Sequence, residues 1–510
     1  MTSATKPGTD ADKLDAGVLK VAGVVVLGAI MAILDVTVVS VALPTFQREF
    51  NATYATVAWT MTAYTLALAT VIPITGWAAD RFGTKRLYLT SLVLFVAGSV
   101  LCSMAWDIGP LIAFRVLQGL GGGMLMPLGM TIMTRAAGPD RVGRVMAVLG
   151  IPMLLGPICG PILGGWLIEA ASWHWIFLIN VPIGVVAFIF AFIVLPKDQS
   201  RPAETFDFLG MLLLSPGLAL FLYGVSSIPE AGTFADPEVM VPAGIGLTLV
   251  VSFVVHALRK DHPLIDLRLF KNRNLTVSVV TISLFIVAFM GAMLLLPSYF
   301  LQVRGQTTLH TGLLMAPQGL GAMLTMPIAG RLTDKTGPGK LVLFGIVLIS
   351  AGLSVFTQVT ASTPYPLLLG ALFVMGMGMG CTMMPIMSAA LATLKDAQIA
   401  RGSTLMNIVQ QVGGSIGTAV MSVVLTNLVK DDQVAGAYLA VKQGAIPAEQ
   451  VPPPVLAAGP DALADAFGST YVVALSLVIL CLVPALFLPR RKLTRADTPA
   501  GEAAVPVPMH

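Results

Sequence analysis

Two charged residues sit where charge is costly. Asp35 lies inside an apolar run at 20–43, and Arg115 inside another at 110–133. A charge at the centre of a membrane helix costs about 2.5–3.5 kcal/mol even on a lenient insertion scale. Asp35 is the one carboxylate deep in any apolar run of the sequence, whereas Asp80, Asp107, Glu169 and Asp207 stand at run ends. Removal from water favours the neutral acid, and a neighbouring guanidinium favours the anion. A carboxylate subject to both influences can bind a proton in one arrangement and release it in another, which makes Asp35 and Arg115 the candidate proton-coupling pair. At a helical rise of about 1.5 Å per residue, Asp35 lies roughly 13 Å from Pro44 and Arg115 roughly 8 Å from Pro110, depths that permit contact. Gln118 and Gly119 follow Arg115 at helical spacing on the same face. The plainer alternatives are an aspartate satisfied by Thr37 or Arg115 and an arginine that is purely structural.

A second group of charges falls between apolar runs. Residues 76–86 read G-W-A-A-D-R-F-G-T-K-R, and residues 330–340 read G-R-L-T-D-K-T-G-P-G-K. Gly76, Asp80, Arg81 and Gly83 align without gaps on Gly330, Asp334, Lys335 and Gly337. Glycine permits a tight turn, and Asp80 with Arg81, Lys85 and Arg86 forms a candidate conformational latch, repeated at Asp334. Simple anchoring by basic residues is the alternative. In a third stretch Gly156, Gly160 and Gly164 recur every four residues, flanked by Gly150, Pro157 and Gly165. Such a small-residue stripe lets another helix approach closely. It reads either as a seal between moving parts or as ordinary packing. Tyr64, Gln118, Tyr299, Gln318, Asn407 and Gln411 are polar groups within apolar runs and candidates to line a substrate cavity. Methionines at 375, 377, 379, 383 and 384 suit adaptable ligand contact, although plain helix packing is their commoner use.

The elements that position these residues are membrane helices. Hydrophobic residues make up 56% of the 510, charged residues 11%, and mean hydropathy is +0.86, far from the roughly 25% charged residues of soluble domains. A span needs about 20 apolar residues. The sequence predicts fourteen, near 20–43, 57–79, 87–105, 110–133, 144–168, 175–195, 208–226, 240–257, 276–302, 311–329, 341–359, 365–389, 404–428 and 470–488. With the N-terminus in the cytoplasm, all but five of the 30 Lys and Arg fall on the cytoplasmic side. Arg48, Arg304, Lys430 and Lys442 lie outside, and Arg115 lies within a span. This asymmetry predicts a multi-pass inner- or plasma-membrane protein with both termini inside. The polar first 17 residues predict no cleavable signal peptide; the first apolar run reads as a signal anchor. Eight spans separate the two loop motifs, so both keep one orientation, as parallel repeats do. The expected organisation is an N-tail (1–17), a six-helix bundle (18–195), a linker with two extra helices (196–274), a second six-helix bundle (275–489) and a C-tail (490–510). The outer segment 429–469 is expected to be the one long extramembrane loop. The four cysteines lie in apolar runs, away from metal-ligand spacing. No catalytic triad, zinc site, cofactor motif, phosphate loop or nucleic-acid-binding basic tract appears, so ATP is not the direct driver.

These motifs resemble those of the major facilitator superfamily, and specifically its fourteen-span drug:proton antiporters of the EmrB and QacA type. The 76–86 loop is similar to G-x-L-A-D-R-x-G-R-K-R, with Trp77 and Thr84 departing. L-D-V-T-V-V-S-V-A-L-P at 34–44 resembles L-D-x-T-V-V-N-V-A-L-P, with Ser40 for Asn. R-V-L-Q-G at 115–119 resembles R-x-x-Q-G. Residues 150–165 resemble the antiporter motif G-x-x-x-G-P-x-x-G-G, altered by Cys159 and Pro161. W-H-W-I-F-L-I-N-V-P-I-G at 173–184 resembles the R-W-I-F-L-I-N-V-P-I-G stretch of the fourteen-span branch. The resemblance implies an all-α fold of two six-helix bundles plus two inserted helices. It also implies proton-driven export of small amphipathic or cationic compounds across the bilayer without a cofactor. The alternatives are a dedicated exporter of one metabolite, siderophore or lipid, and a non-transporting receptor or scaffold, which would need neither the repeat nor Asp35. The sequence leaves open whether a periplasmic adaptor docks on the outer segment.

Overall fold

The computed structural model describes residues 15–138, 141–196, 205–442 and 446–492, and some helix side chains, Pro157 and Pro161 among them, lie outside the described set. The described chain is helical, with no β-strand among the described residues. The helices are α1 (Ala16–Glu49), α2 (Tyr54–Phe82), α3 (Thr84–Ser103), α4 (Ile108–Ala137), α5 (Val142–Ala170), α6 (Trp175–Leu178), α7 (Asn180–Val194), α8 (Phe208–Ala231) and α9 (Pro237–Arg259). They continue with α10 (Arg273–Gln302), α11 (Thr308–Thr336), α12 (Pro338–Phe356), α13 (Tyr365–Ala392), α14 (Asp396–Asp431), α15 (Gln433–Lys442), α16 (Pro453–Leu480) and α17 (Leu482–Ala485). Thirteen helical stretches among the described residues are long and apolar enough to cross a membrane. The 29-residue α5 is a further helix, described as apolar over Val142–Pro152. The chain is a multi-pass membrane protein.

Helix ends follow local chemistry. Thr53, Asp107 and Thr307 cap α2, α4 and α11 by accepting from backbone N–H groups of the first turn. The two loop motifs turn on glycines with φ of +91° at Gly83 and +88° at Gly337, a region that side-chain-bearing residues rarely enter. Each of these glycines ends one helix and starts the next. The expected span at 175–195 is broken at Ile179 into α6 and α7. Pro182 cannot donate within the first turn of α7 and crowds the preceding carbonyls. The last span breaks at Cys481, shortly before Pro484, for the same reason.

The segment 429–469, read as a loop in the sequence, is largely helical. α14 runs to Asp431, α15 occupies Gln433–Lys442, and α16 begins at Pro453. At its other end α14 starts at Asp396, ahead of the expected span at 404–428. Its polar first turns pack on α2 and α4 rather than facing lipid.

Helices α1–α7 pack mainly on one another, as do α10–α17, and the two sets meet through α5 on α11 and α13 and through α14 on α2 and α4. The hairpin α8–α9 leans on α2 and α14. It is fastened by Asp207, whose buried carboxylate accepts from Gly210 N (3.0 Å), Leu264 N (3.0 Å) and Lys260 Nζ (3.0 Å) and lies 2.9 Å from His256 Nε2. Burial alone would push this carboxyl up, but the bonds from His256, Gly210, Lys260 and Leu264 outweigh it and hold it below the ordinary carboxylate range.

Candidate functional site

Asp35 and Arg115 meet. Arg115 Nη1 lies 2.5 Å from Asp35 Oδ2, with both residues essentially without solvent exposure. The pair belongs to a network drawn from five helices. Arg115 Nη1 also donates to Gln118 Oε1 (2.7 Å), and Nε donates to the Thr60 carbonyl (2.9 Å). Gln118 Nε2 donates to Asp35 Oδ1 (2.7 Å) and to Ser99 Oγ (2.7 Å). Asn180 Nδ2 reaches both of those acceptors at 3.3 Å. The break between α6 and α7 sets Asn180 at the first position of α7, where its side chain enters the network. A buried ion pair persists only when further hydrogen bonds support it, and here Gln118, Asn180 and the Thr60 carbonyl supply them. The guanidinium lies over the Tyr64 ring, 4.2 Å from its centroid. Glycines make room for the assembly: a Cβ at Gly119 would strike the Tyr64 carbonyl, one at Gly122 the Tyr64 hydroxyl, and one at Gly98 the Gln118 backbone.

Beside this network, between the two helix sets, lies a cavity of about 420 Å³, within the range of small-molecule sites. Its walls are mostly apolar and include Met126, Met290, Met293, Met315, Met379 and Met383. Tyr64, Gln318, Asn407 and Gln411 line it, as does Gln410. Two expected cavity residues lie elsewhere. Gln118 is fully buried in the Asp35 network, because the helical spacing that aligns it with Arg115 turns both towards Asp35. Tyr299 is buried against Phe300 and Phe467, and its hydroxyl donates to the Thr360 carbonyl at 2.7 Å, so it ties α10 to the loop before α13. Ser99, Asn180 and the Thr60 carbonyl are not singled out by the sequence reading. For Asn180 the available signal was an asparagine inside an apolar run.

The loop motifs act across the two helix sets. Asp334 accepts from Gly143 N (2.8 Å), Arg144 N (3.3 Å) and Arg144 Nε (2.9 Å), and so caps the N-terminus of α5 from the other set. Asp80, at the equivalent place on α2, lies 3.3 Å from Arg135 Nη2 and 3.9 Å from Arg401 Nε of α14. Arg135 also donates to the Asp396 carbonyl at the start of α14. Gly76 and Gly330 let the backbones close up: a Cβ on Gly76 would press on Thr404 and Arg401, and one on Gly330 on Gly143 and Arg144. Lys85 donates to the Phe192 and Leu195 carbonyls at 2.7 and 2.6 Å, closing the end of α7. Arg81 and Arg86 are exposed on the same face. This basic face is shut. Buried Met130, Met146, Met384 and Met387 cluster with Met383, which also lines the cavity.

The glycine stripe of α5 does not lie between the sets. A Cβ at Gly156 would strike Ile33, one at Gly160 would strike Thr37, and one at Gly164 would press on Val38, so the stripe packs α5 on α1 beside Asp35. Gly150, nearer the basic face, abuts Met326 and Met384 of the other set, and Gly165 has open space around it. The side chain of Pro157 lies outside the described residues.

Two helix sets that enclose a central cavity and are joined by ion pairs and hydrogen bonds at one membrane face have the architecture of a membrane transporter. The family model of the Major Facilitator Superfamily matches residues 25–418, and the chain belongs to that superfamily. It is 52% identical over 507 residues to the "Multidrug resistance protein B homolog" of Mycobacterium tuberculosis (strain ATCC 25618 / H37Rv), covering 96% of this chain and 93% of that protein. It is 31% identical to the "Multidrug export protein EmrB" of Escherichia coli (strain K12), with 79% of each chain covered. Among solved structures, the human organic anion transporter MFSD10 shares the fold at a TM-score of 0.62 and 15% identity, over 91% of this chain and 100% of that one.

Proposed function

We propose that this chain is a proton-coupled multidrug exporter that moves small amphipathic compounds out of the cell by alternating access. The observation that carries the reading is the position of the Asp35–Arg115 pair. It is a buried acid whose partner guanidinium stacks on Tyr64, a residue of the cavity wall. Kinship with proteins named for multidrug resistance and multidrug export supports the choice of substrate and direction. The basic face is the cytoplasmic one, with both termini inside the cell membrane, and the structure is then the state closed to the cytoplasm. In this cycle a proton taken up at Asp35 weakens its hold on Arg115, and return of the proton to the cytoplasm restores the pair. One proton entering across 100 mV supplies about 2.3 kcal/mol, and one pH unit adds about 1.36 kcal/mol. The sum sustains roughly a few-hundred-fold gradient of a neutral substrate. Asp80 and Asp334 serve as the latch of the closed face.

The test is substrate-induced proton movement by purified protein in liposomes, screened over neutral antibiotics, cationic dyes and lipids. Asp35→Asn is expected to abolish proton-coupled efflux in a protein that still folds and inserts. Efflux by that variant that still collapses with the pH gradient would refute the assignment. A single-substrate exporter would respond to one compound class in the same screen.

A further inference from the structure

The cavity wall contains two hydrogen-bonding atoms that the protein leaves unused. Tyr64 Oη, on α2, and Gln318 Nε2, on α11, are buried and have no partner among the described residues. Tyr64 is 1% and Gln318 5% exposed, and both residues line the same 420 Å³ cavity. Two other polar groups there are occupied: Asn407 Nδ2 donates to the Ser403 carbonyl at 2.9 Å, and the Thr37 hydroxyl donates to the Leu34 carbonyl at 3.0 Å. Leaving a buried donor empty is costly, so two empty ones on residues that line one cavity mark where a ligand belongs.

The charges around the cavity narrow the ligand further. No acidic or basic side chain is among its described lining residues. The carboxylate behind the wall, Asp35, is already neutralised by Arg115 and bonded to Gln118 and Asn180. The Tyr64 ring face, which could otherwise hold a cation, is covered by the Arg115 guanidinium. A permanent cation entering here would lose its hydration and find no counter-charge. A ligand acceptor such as a carbonyl, sulfonyl or phosphoryl oxygen would satisfy such donors.

We propose that Tyr64 and Gln318 form a two-point hydrogen-bond clamp, one arm from each helix set, that selects uncharged apolar molecules bearing a strong acceptor oxygen over permanent cations. The proposal rests on the exporter reading for its biological sense, but it makes a claim about binding alone. Because the arms belong to different helix sets, a ligand held by both spans the interface that must move. The position of the Tyr64 hydroxyl depends on Gly122, whose missing side chain leaves it room.

Three probes of similar shape separate the contributions: triphenylphosphine oxide (uncharged, with an acceptor), triphenylmethane (uncharged, without one) and tetraphenylphosphonium (a permanent cation). Binding of tritiated triphenylphosphine oxide to the purified full-length protein is measured by scintillation proximity and competed with the other two. The oxide is expected to bind at least about tenfold more tightly than either competitor. Tyr64→Phe and Gln318→Leu should each weaken the oxide by about three- to tenfold while leaving triphenylmethane unchanged. Tetraphenylphosphonium binding as tightly as the oxide overturns the clamp. So does absence of specific oxide binding, or an equal loss of all three probes in the variants. If the oxide is selected as expected but no compound drives proton movement in liposomes, the exporter reading fails and the clamp stands. If liposomes export cations and neither donor matters, the clamp fails and the exporter reading stands.

Discussion

Asp334→Asn is expected to open the basic face, and to do so more than Asp80→Asn although the two positions are equivalent in the repeat. Asp334 is 6% exposed and takes three hydrogen bonds from the first turn of α5. Bonds to a charged acceptor contribute about 1.5–3 kcal/mol each, and an anion at a helix N-terminus adds about 0.3–1 kcal/mol. Asparagine keeps one acceptor oxygen and loses the charge, and its amide confronts donors. A net loss of about 2 kcal/mol shifts the closed-to-open ratio by roughly thirtyfold. Asp80 is more open, at 18% exposed, and its contacts with Arg135 and Arg401 are long, at 3.3 and 3.9 Å. Its loss is worth less than about 1 kcal/mol, a fewfold shift. Spin labels at Thr90→Cys on α3 and Lys340→Cys on α12, both exposed positions on opposite helix sets, report the separation by pulsed electron paramagnetic resonance once the native cysteines are replaced. The long-distance population should rise strongly in Asp334→Asn and slightly in Asp80→Asn. Turnover should change in the same order, with substrate affinity less affected. An unchanged distance distribution in Asp334→Asn, or a larger shift in Asp80→Asn, would refute the reasoning.

Arg115→Ala should leave Asp35 without a counter-charge; efflux should lose its coupling at neutral internal pH and partly recover with alkaline internal buffer. Arg115→Lys, which keeps the charge but not the planar fork, should fall between, and pH profiles that merely drop in amplitude would mark Arg115 as structural. Gly160→Ala, which drives a methyl into Thr37, should cost about 1–3 kcal/mol by overpacking, whereas Gly165→Ala, with nothing nearby, should leave the melting temperature unchanged. Asp207→Asn should loosen the α8–α9 hairpin at neutral pH, seen as faster proteolysis after residue 259. Because the Asp207 carboxyl is held below its ordinary value, its contribution is complete above about pH 4 and is lost as pH falls through the depressed value; loosening of the wild type as pH rises would contradict this.

Much of this fold can be read from hydropathy, because a membrane helix must be apolar over a fixed length. The breaks at Ile179 and Cys481 are less legible. Pro182 and Pro484 stand just after them in the sequence, but a proline in an apolar run marks a kink as readily as a break. The Asp35–Arg115 contact is legible because both charges stand out against apolar runs and lie at compatible depth. Ser99 and the Thr60 carbonyl are not, since neither residue type is unusual in a membrane helix. Which face of a helix meets protein and which meets lipid is hard to read from sequence, as both surroundings are apolar. That is why Tyr299 reads as a cavity residue in the sequence and why the glycines of α5 read as a seam between bundles. The partners of Asp80 and Asp334 escape for another reason: they lie on helices far away in sequence, and Arg401 sits in turns of α14 too polar to read as part of a span.

α5 joins the two ends of this arrangement. Its first turn is held by Asp334 of the opposite helix set, and its glycine stripe rests on Ile33, Thr37 and Val38 of α1, on either side of Asp35 in sequence. Gly156 and Gly160 set the α5 backbone directly against the Ile33 and Thr37 side chains, and close-packed interiors transmit strain rather than damp it. A tilt of α5 that frees its N-terminus from Asp334 therefore acts on the turn of α1 that carries Asp35. The network around that carboxylate is closed by donors from α4 and α7. We propose that opening the basic face and loosening the Asp35–Arg115 pair are two ends of one displacement. The same geometry works in reverse: an Asp35 released from Arg115 permits the turn of α1 to shift, and with it the helix that Asp334 holds.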